Sequence, residues 1–227
     1  MKRIYKFLTN IFHTLVPKTC IQCGSLLEED EKLLCASCKD LLPFDNFLNQ
    51  EYFAPLTHYA KEIFVFSKYQ YCNTIIKKFK FSGFIYIGKK FAESFADRLQ
   101  QESWIDNIDC IVPVPLHKVE LRDRGFNQCD IIADVLGKKL NIPVVKNNLV
   151  KLHHTKAQHN LSAHERYNNL KNNFALKDIS IFQGKNILLL DDVITTCSTL
   201  QAVCQTFNKV EGINLYVCTM ASDRNNF

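Results

Sequence analysis

Much that would point to a membrane, secreted or strongly charged protein is missing from this chain. No stretch approaches the ~18 uninterrupted apolar residues of a membrane span, so no transmembrane segment is expected. The N-terminus, MKRIYKFLTNIFHTLVP, opens with Lys2 and Arg3. Lys6, Thr9, Asn10 and His13 then interrupt its apolar run, and no small-residue cleavage site follows. It fails as a secretory signal. An excess of one charge is absent too: +5 over 227 residues permits an anionic partner and demands none. There is no internal repeat and no low-complexity tract, which excludes a repeat architecture. What remains, 47% hydrophobic and 22% charged, suits one α/β domain with a substantial core plus a small module.

Cysteine is abundant. Ten cysteines without a secretory signal imply a reducing compartment, so the expected address is the cytoplasm. Four of them form two CxxC pairs, Cys20/Cys23 in TCIQCG and Cys35/Cys38 in LCASCK. Two sulfurs from one tight turn can reach the same ion, and two such knuckles close a tetrahedral zinc site of four thiolates. Gly24 suits the first turn. Redox-active pairs or chance thiols are the alternatives, but neither pair sits in a βαβ unit. With no ligand left over, the zinc is expected to be structural and to supply the module's folding energy.

Along the chain, Ile4, Phe7, Leu8, Ile11, Phe12 and Leu15 recur at helical spacing, predicting an amphipathic helix over 1–17. A membrane-surface helix is the alternative to one packed on its own domain. The zinc-ribbon module takes 18–42 and a connecting loop 43–58. From 59 to 227 strands and helices alternate: strands at 62–67, 108–114, 142–145, 186–190 and 213–219, helices at 72–81, 89–101, 128–140 and 198–207. That alternation predicts a parallel sheet flanked by helices.

The most informative run is ILLLDDVITTCSTL, 187–200. Asp191 and Asp192 end an apolar strand, where ligands bind in open parallel sheets. The hydroxyls of Thr195, Thr196, Ser198 and Thr199, with the turn's backbone N–H groups and a helix N-terminus, form an anion cradle. Such a site fits a ribose phosphate. A plain strand–turn–helix with Ser or Thr as N-cap is the competing reading.

DDVITTCST resembles the phosphoribosyl-pyrophosphate motif of type I phosphoribosyltransferases. With the paired CxxC module, IVPVPLHK and RGFNQ over 111–128, FKFSG at 79–83, and the spaced Thr155, Gln158, Leu161, Arg166, Asn169 and Phe174, the chain resembles the ComF/GntX family of competence-associated phosphoribosyltransferase-like proteins. The resemblance implies a type I phosphoribosyltransferase-like sheet with a small zinc ribbon held by Cys20, Cys23, Cys35 and Cys38. It further implies that Asp191 and Asp192 hold the ribose hydroxyls and that Val193 and Thr195, Thr196, Cys197, Ser198 and Thr199 cradle the 5′-phosphate. Lys80, Arg122 and Arg124 would face the pyrophosphate, with Mg²⁺ riding on the ligand's oxygens. The chain departs from the superfamily at Cys197, usually glycine, and at Lys151, commonly arginine.

Arg122 and Arg124, with Lys118, are read as a basic loop after Pro115, the alternative being a merely solvated charge run. In 151–169, His153, His154, His159 and His164 have no partner spaced to complete a metal shell; a loop closing over a phosphorylated ligand is the reading. Lys77, Lys78, Lys80, Lys89 and Lys90 interleave with Tyr69, Tyr71, Phe79, Phe81 and Phe84 as a single-strand track or simply as core. The resemblance implies DNA uptake in natural transformation, with phosphoribosyl pyrophosphate, single-stranded DNA and other uptake proteins as partners at the inner face of the membrane. The other function it implies is an active phosphoribosyltransferase with its own acceptor, for which no segment reads as a nucleobase hood unless the zinc ribbon and the 41–58 loop provide it.

Overall fold

The computed structural model describes residues 18–42, 50–154, 170 and 172–223. The helix expected over 1–17, the first part of the expected linker and the polar segment 155–169 lie outside them.

Helix α1 (Ala36–Asp40) closes the cysteine module, and α2 (Gln50–Thr57) precedes the first strand. Strand β1 (Ala60–Lys68) leads into α3 (Tyr69–Ser82) and α4 (Ile85–Leu99). Then come β2 (Cys110–Pro113), α5 (Lys118–Arg124) and α6 (Gln128–Leu140). A short antiparallel pair, β3 (Leu149–Lys151) with β4 (Phe174–Leu176), is followed by β5 (Asn186–Ile194), α7 (Ser198–Thr206) and β6 (Asn214–Ser222). The main sheet has the order β1-β6-β5-β2, with every pairing parallel. The expected α/β class and the parallel sheet flanked by helices are thus what the chain adopts.

The central strands are apolar throughout because both their faces are buried. Leu188 and Leu190 of β5, with Tyr216 and Cys218 of β6, pack beneath α3, α4 and α6 among Phe64, Phe66, Phe79 and Phe95. Ile187 and Leu189, with Leu215 and Val217, face the opposite core of Phe53, Phe182, Val203 and Phe207. Gly88 lets α4 lie against α3: a Cβ there would stand 2.4 Å from the ring of Phe79.

Three local expectations are corrected. The linker is helical from Gln50 to Thr57, and it buries Phe53 and Leu56 completely. The basic loop is the helix α5, opened by a capping box of His117 and Glu120 and closed by Gly125 at φ 82°. The strand expected at 142–145 reduces to one bridge between Ile111 and Val144, since Pro143 brings no N–H to a ladder.

Candidate functional site

The cysteine module is built by two tight turns. Gly24, at φ 80°, returns the chain so that its N–H donates to Cys20 O at 2.8 Å and Cys20 N–H donates to Ser25 O at 2.7 Å. Cys35 is the N-cap residue of α1, and Glu31 accepts from the N–H groups of Glu28 and Ala36. These turns bring the sulfurs of Cys20, Cys23, Cys35 and Cys38 within 4.8 Å of one another, with Cys23 and Cys35 at 3.7 Å. A tetrahedron with metal–sulfur bonds of about 2.3 Å has sulfur–sulfur edges of about 3.8 Å. Four thiols at that spacing fit a metal ion. Ile21, Leu33 and Leu34 pack onto the main core, and Gln22 donates to Gln70 O and Asn73 Oδ1 on α3.

The second site forms around the acidic pair. Strand β5 does not stop before the acids, as expected, but runs through both, pairing Asp191 with Thr219 and Val193 with Ala221. By the period-2 rule Asp192 falls on the same face as Leu188 and Leu190, under α3 and α6. There it is 6% exposed, and its Oδ2 accepts from Lys80 Nζ at 2.8 Å and from Gln128 Nε2. Gln128 in turn accepts from Arg124 Nη1. Burial alone would push the Lys80 ammonium down, but the charge of Asp192 and its hydrogen bond hold it above its ordinary value.

Asp191 is less well compensated. Burial, then the adjacent Asp192 charge, push its carboxyl up to about 7, against the pull of the Asp192 N–H, Lys80 and Cys129. Its Oδ1 accepts from Asp192 N–H at 2.8 Å and from the Cys129 thiol at 3.7 Å. That thiol keeps its proton, being fully buried beside two carboxylates. Asn127 holds this corner: it caps α6 through Cys129 N–H at 3.1 Å and donates to Val114 O at 3.2 Å.

After Ile194 the chain turns into α7. Cys197 takes φ 63°, a left-handed conformation as N-cap, where glycine carries no Cβ penalty. The hydroxyls of Thr196 and Ser198 lie 2.9 Å apart. Asp191, Val193, Thr195, Cys197, Ser198 and Thr199 all line one narrow cleft at this turn. A larger cavity, about 430 Å³, lies between the cysteine module and α3–α4 and shares no lining residue with it. In that cavity Glu93 is paired with Lys90 at 2.7 Å and Glu31 accepts from two backbone N–H groups.

Of the residues expected to bind ligand, Lys80 and the 191–199 run thus meet directly, and Arg124 joins through Gln128. Arg122 stands exposed and pairs with its neighbour Asp123 at 3.2 Å. Lys151 is tied to Glu120 at 2.9 Å. Burial pushes the Glu120 carboxyl up, yet Lys151 holds it below its ordinary value. Among the described residues no metal-binding group includes His153 or His154. Sequence reasoning singles out RGFNQ without giving Gln128 or Cys129 a role. Their signal is position: the first turn of a helix that follows a strand end beside β5.

No protein-family model matches the chain. It is 28% identical to Competence protein F of Haemophilus influenzae over 84% of this chain and 91% of that protein. It is 38% identical to the DNA utilization protein YhgH of Escherichia coli, over 43% of this chain and 42% of that one, so less than half of either. Among solved structures it is similar to the adenine phosphoribosyltransferase of Leishmania tarentolae, with a TM-score of 0.40 and 12% identity, covering 67% of this chain and 75% of that one. Among the described residues no helix is long and apolar enough to cross a membrane. The resemblance to the ComF/GntX family holds, and this chain is similar to a competence protein of that kind over most of its length.

Proposed function

We propose that this chain takes part in DNA uptake during natural transformation and that its acidic-pair cleft binds phosphoribosyl pyrophosphate with Mg²⁺. One observation carries the ligand reading. Lys80 and Gln128, from two stretches far apart in sequence, converge on the Asp192 carboxylate beside a hydroxyl-rich turn. Buried charge is costly to assemble, and perturbed buried carboxylates in a cleft are candidates for a functional site. In this reading Asp191 and Asp192 accept from the ribose 2′- and 3′-hydroxyls. Val193 and the Thr195–Thr199 turn receive the 5′-phosphate. Lys80 and Arg124 face the pyrophosphate, with Arg122 supplying further charge from α5. The magnesium ion would ride on ligand oxygens and water.

The cysteine cluster holds a structural zinc ion in this proposal, keeping 18–42 folded against α3. Single-stranded DNA is the macromolecular partner, with other uptake proteins at the cytoplasmic face of the inner membrane. Binding is favoured over turnover by the fate of Gln50–Thr57, in the described part of the expected linker. A transferase needs an acceptor pocket, and α2, one of the two segments able to supply it, commits Phe53 and Leu56 to the core.

The test is calorimetric titration of phosphoribosyl pyrophosphate with Mg²⁺ into the zinc-loaded protein, beside Asp191→Asn/Asp192→Asn. Asparagine keeps an acceptor for Lys80 and Gln128, so the variant should fold. Heat in the wild type that the variant loses supports the site. No heat in the folded wild type refutes it.

A further inference from the structure

The junction of α3 and α4, from the end of one helix to the start of the next, exposes three aromatic rings: Phe81 is 76% exposed, Phe84 53% and Tyr86 58%. Rings of this size are normally buried, and an apolar patch rimmed by polar groups marks a binding surface. Phe79, by contrast, is buried and stacks on Phe126 at 5.7 Å, so the aromatic-rich stretch divides into a core half and an outward half. Lys77 lies one helical turn before Phe81 and Lys89 one turn after Ile85; both ammonium-bearing residues are exposed, as is Lys78. Flat apolar faces framed by cations suit a single-stranded nucleic acid, whose bases stack while its phosphates are neutralised.

This patch is wired to the acidic pair. Arg124 lies over the Phe81 ring, its guanidinium carbon 5.6 Å from the ring centre, and the same guanidinium donates to Gln128, which donates to Asp192. Lys80, the residue directly before Phe81, reaches the same Asp192 oxygen as Gln128. Phe81 is therefore connected to one buried carboxylate by two routes.

We propose that the Phe81–Tyr86 junction is a base-stacking platform for single-stranded nucleic acid, and that Arg124 couples its affinity to occupancy of the acidic-pair cleft. The coupling rests on the ligand reading above; the platform does not. An anionic ligand in the cleft draws Arg124 off the ring, freeing the face of Phe81 for a base. By reciprocity, nucleic acid then tightens the ligand by the same factor.

Fluorescence anisotropy of a labelled oligothymidylate of about 20 nucleotides, with and without magnesium phosphoribosyl pyrophosphate, tests both parts on the full zinc-loaded chain. The ligand should tighten wild-type binding at least about fivefold, the lower end of ordinary coupling. Phe81→Ala should weaken binding about tenfold or more, the loss of one stacked base, while calorimetry shows the ligand heat retained. Arg124→Lys should abolish the ligand-dependent tightening. Because Phe81 is exposed, its truncation leaves the thermal melt unchanged. An oligonucleotide bound equally by wild type and Phe81→Ala/Phe84→Ala overturns the platform, as does no binding by the wild type, which would assign the patch to a protein partner. Ligand heat without any change in oligonucleotide affinity overturns the coupling. Absence of ligand heat refutes the cleft reading and the coupling together, with the Phe81→Ala comparison still deciding the platform.

Discussion

Replacing Asp191 by asparagine should make the protein more stable at neutral pH while removing its ligand. The carboxyl is held at about 7 against an ordinary 3.8. A group whose pKa rises on folding favours the folded state while protonated and loses that advantage as pH climbs through the folded value. Wild-type stability should therefore decline between about pH 4 and pH 7 and level off above. At about 1.4 kcal/mol per pKa unit, the full shift corresponds to about 4 kcal/mol. Residual solvent at the partly exposed carboxylate and its strong coupling to Asp192 reduce this to roughly 2–3 kcal/mol. The asparagine side chain has no charge to desolvate, so the variant's profile lacks this decline. Urea unfolding of both proteins, followed by Trp104 fluorescence across about pH 4.5 to 8.5, measures it. With slopes of roughly 2–3 kcal/mol/M for a chain of this size, the midpoints should coincide near the acid end and separate by about 1 M above pH 7. Parallel profiles across the range would refute a carboxylate strained by burial and by its neighbour.

The Lys80–Asp192 pair predicts the opposite sign for a single truncation. Lys80→Met leaves a buried carboxylate held by Gln128 alone and should cost about 3–5 kcal/mol; adding Asp192→Asn should recover most of that, read as a thermal double-mutant cycle. Gly88→Ala drives a methyl to within 2.4 Å of the Phe79 ring and should cost about 1–3 kcal/mol by overpacking, visible in the same melts. For protein loaded with zinc, the metal proposed for the thiol cluster, chelation, or Cys35→Ser, should unfold 18–42 and uncover Ile21, Leu33 and Leu34. Limited proteolysis should then cut first in the module, leaving the sheet domain intact; cleavage that begins in the sheet domain would contradict the module's dependence on metal.

What is legible in the sequence follows from periodicity and from spacing. Strand β5 stands out because both faces of a central parallel strand are buried, giving an unbroken apolar run. The helix at Gln128–Leu140 matches its expected bounds to the residue because Asn127 caps it and Asn141 ends it at φ 58°. Two CxxC pairs are sufficient for the thiol cluster, since the spacing itself shapes the turn. The errors have separate causes. The α2 helix carries Pro55 and an aromatic-rich stretch that reads as loop, and its helicity is imposed by burying Phe53 and Leu56. Helix α5 is hidden because its capping box uses His117 instead of the usual serine or threonine. The 142–145 strand fails on Pro143, a residue whose missing N–H is visible in the sequence.

The site shows a further limit of pattern reading. Asp191 and Asp192 are identifiable from the run, but their asymmetry is not, because it depends on the partners that distant helices bring to each. Asp192 collects Lys80 from α3 and Gln128 from α6; Asp191 lines the cleft and collects one backbone N–H and the thiol of Cys129, the next residue of α6. The same two letters therefore become a compensated charge and a strained one. A ligand hydroxyl donating to Asp191 would supply the hydrogen bond its carboxylate lacks. Cys197 fits this pattern of local cost, since a β-carbon at φ 63° disfavours the turn that glycine would take freely. Under the proposed ligand reading, strain at two positions of one cleft, each tolerated by a well-packed sheet beneath, would keep the site ready to bind.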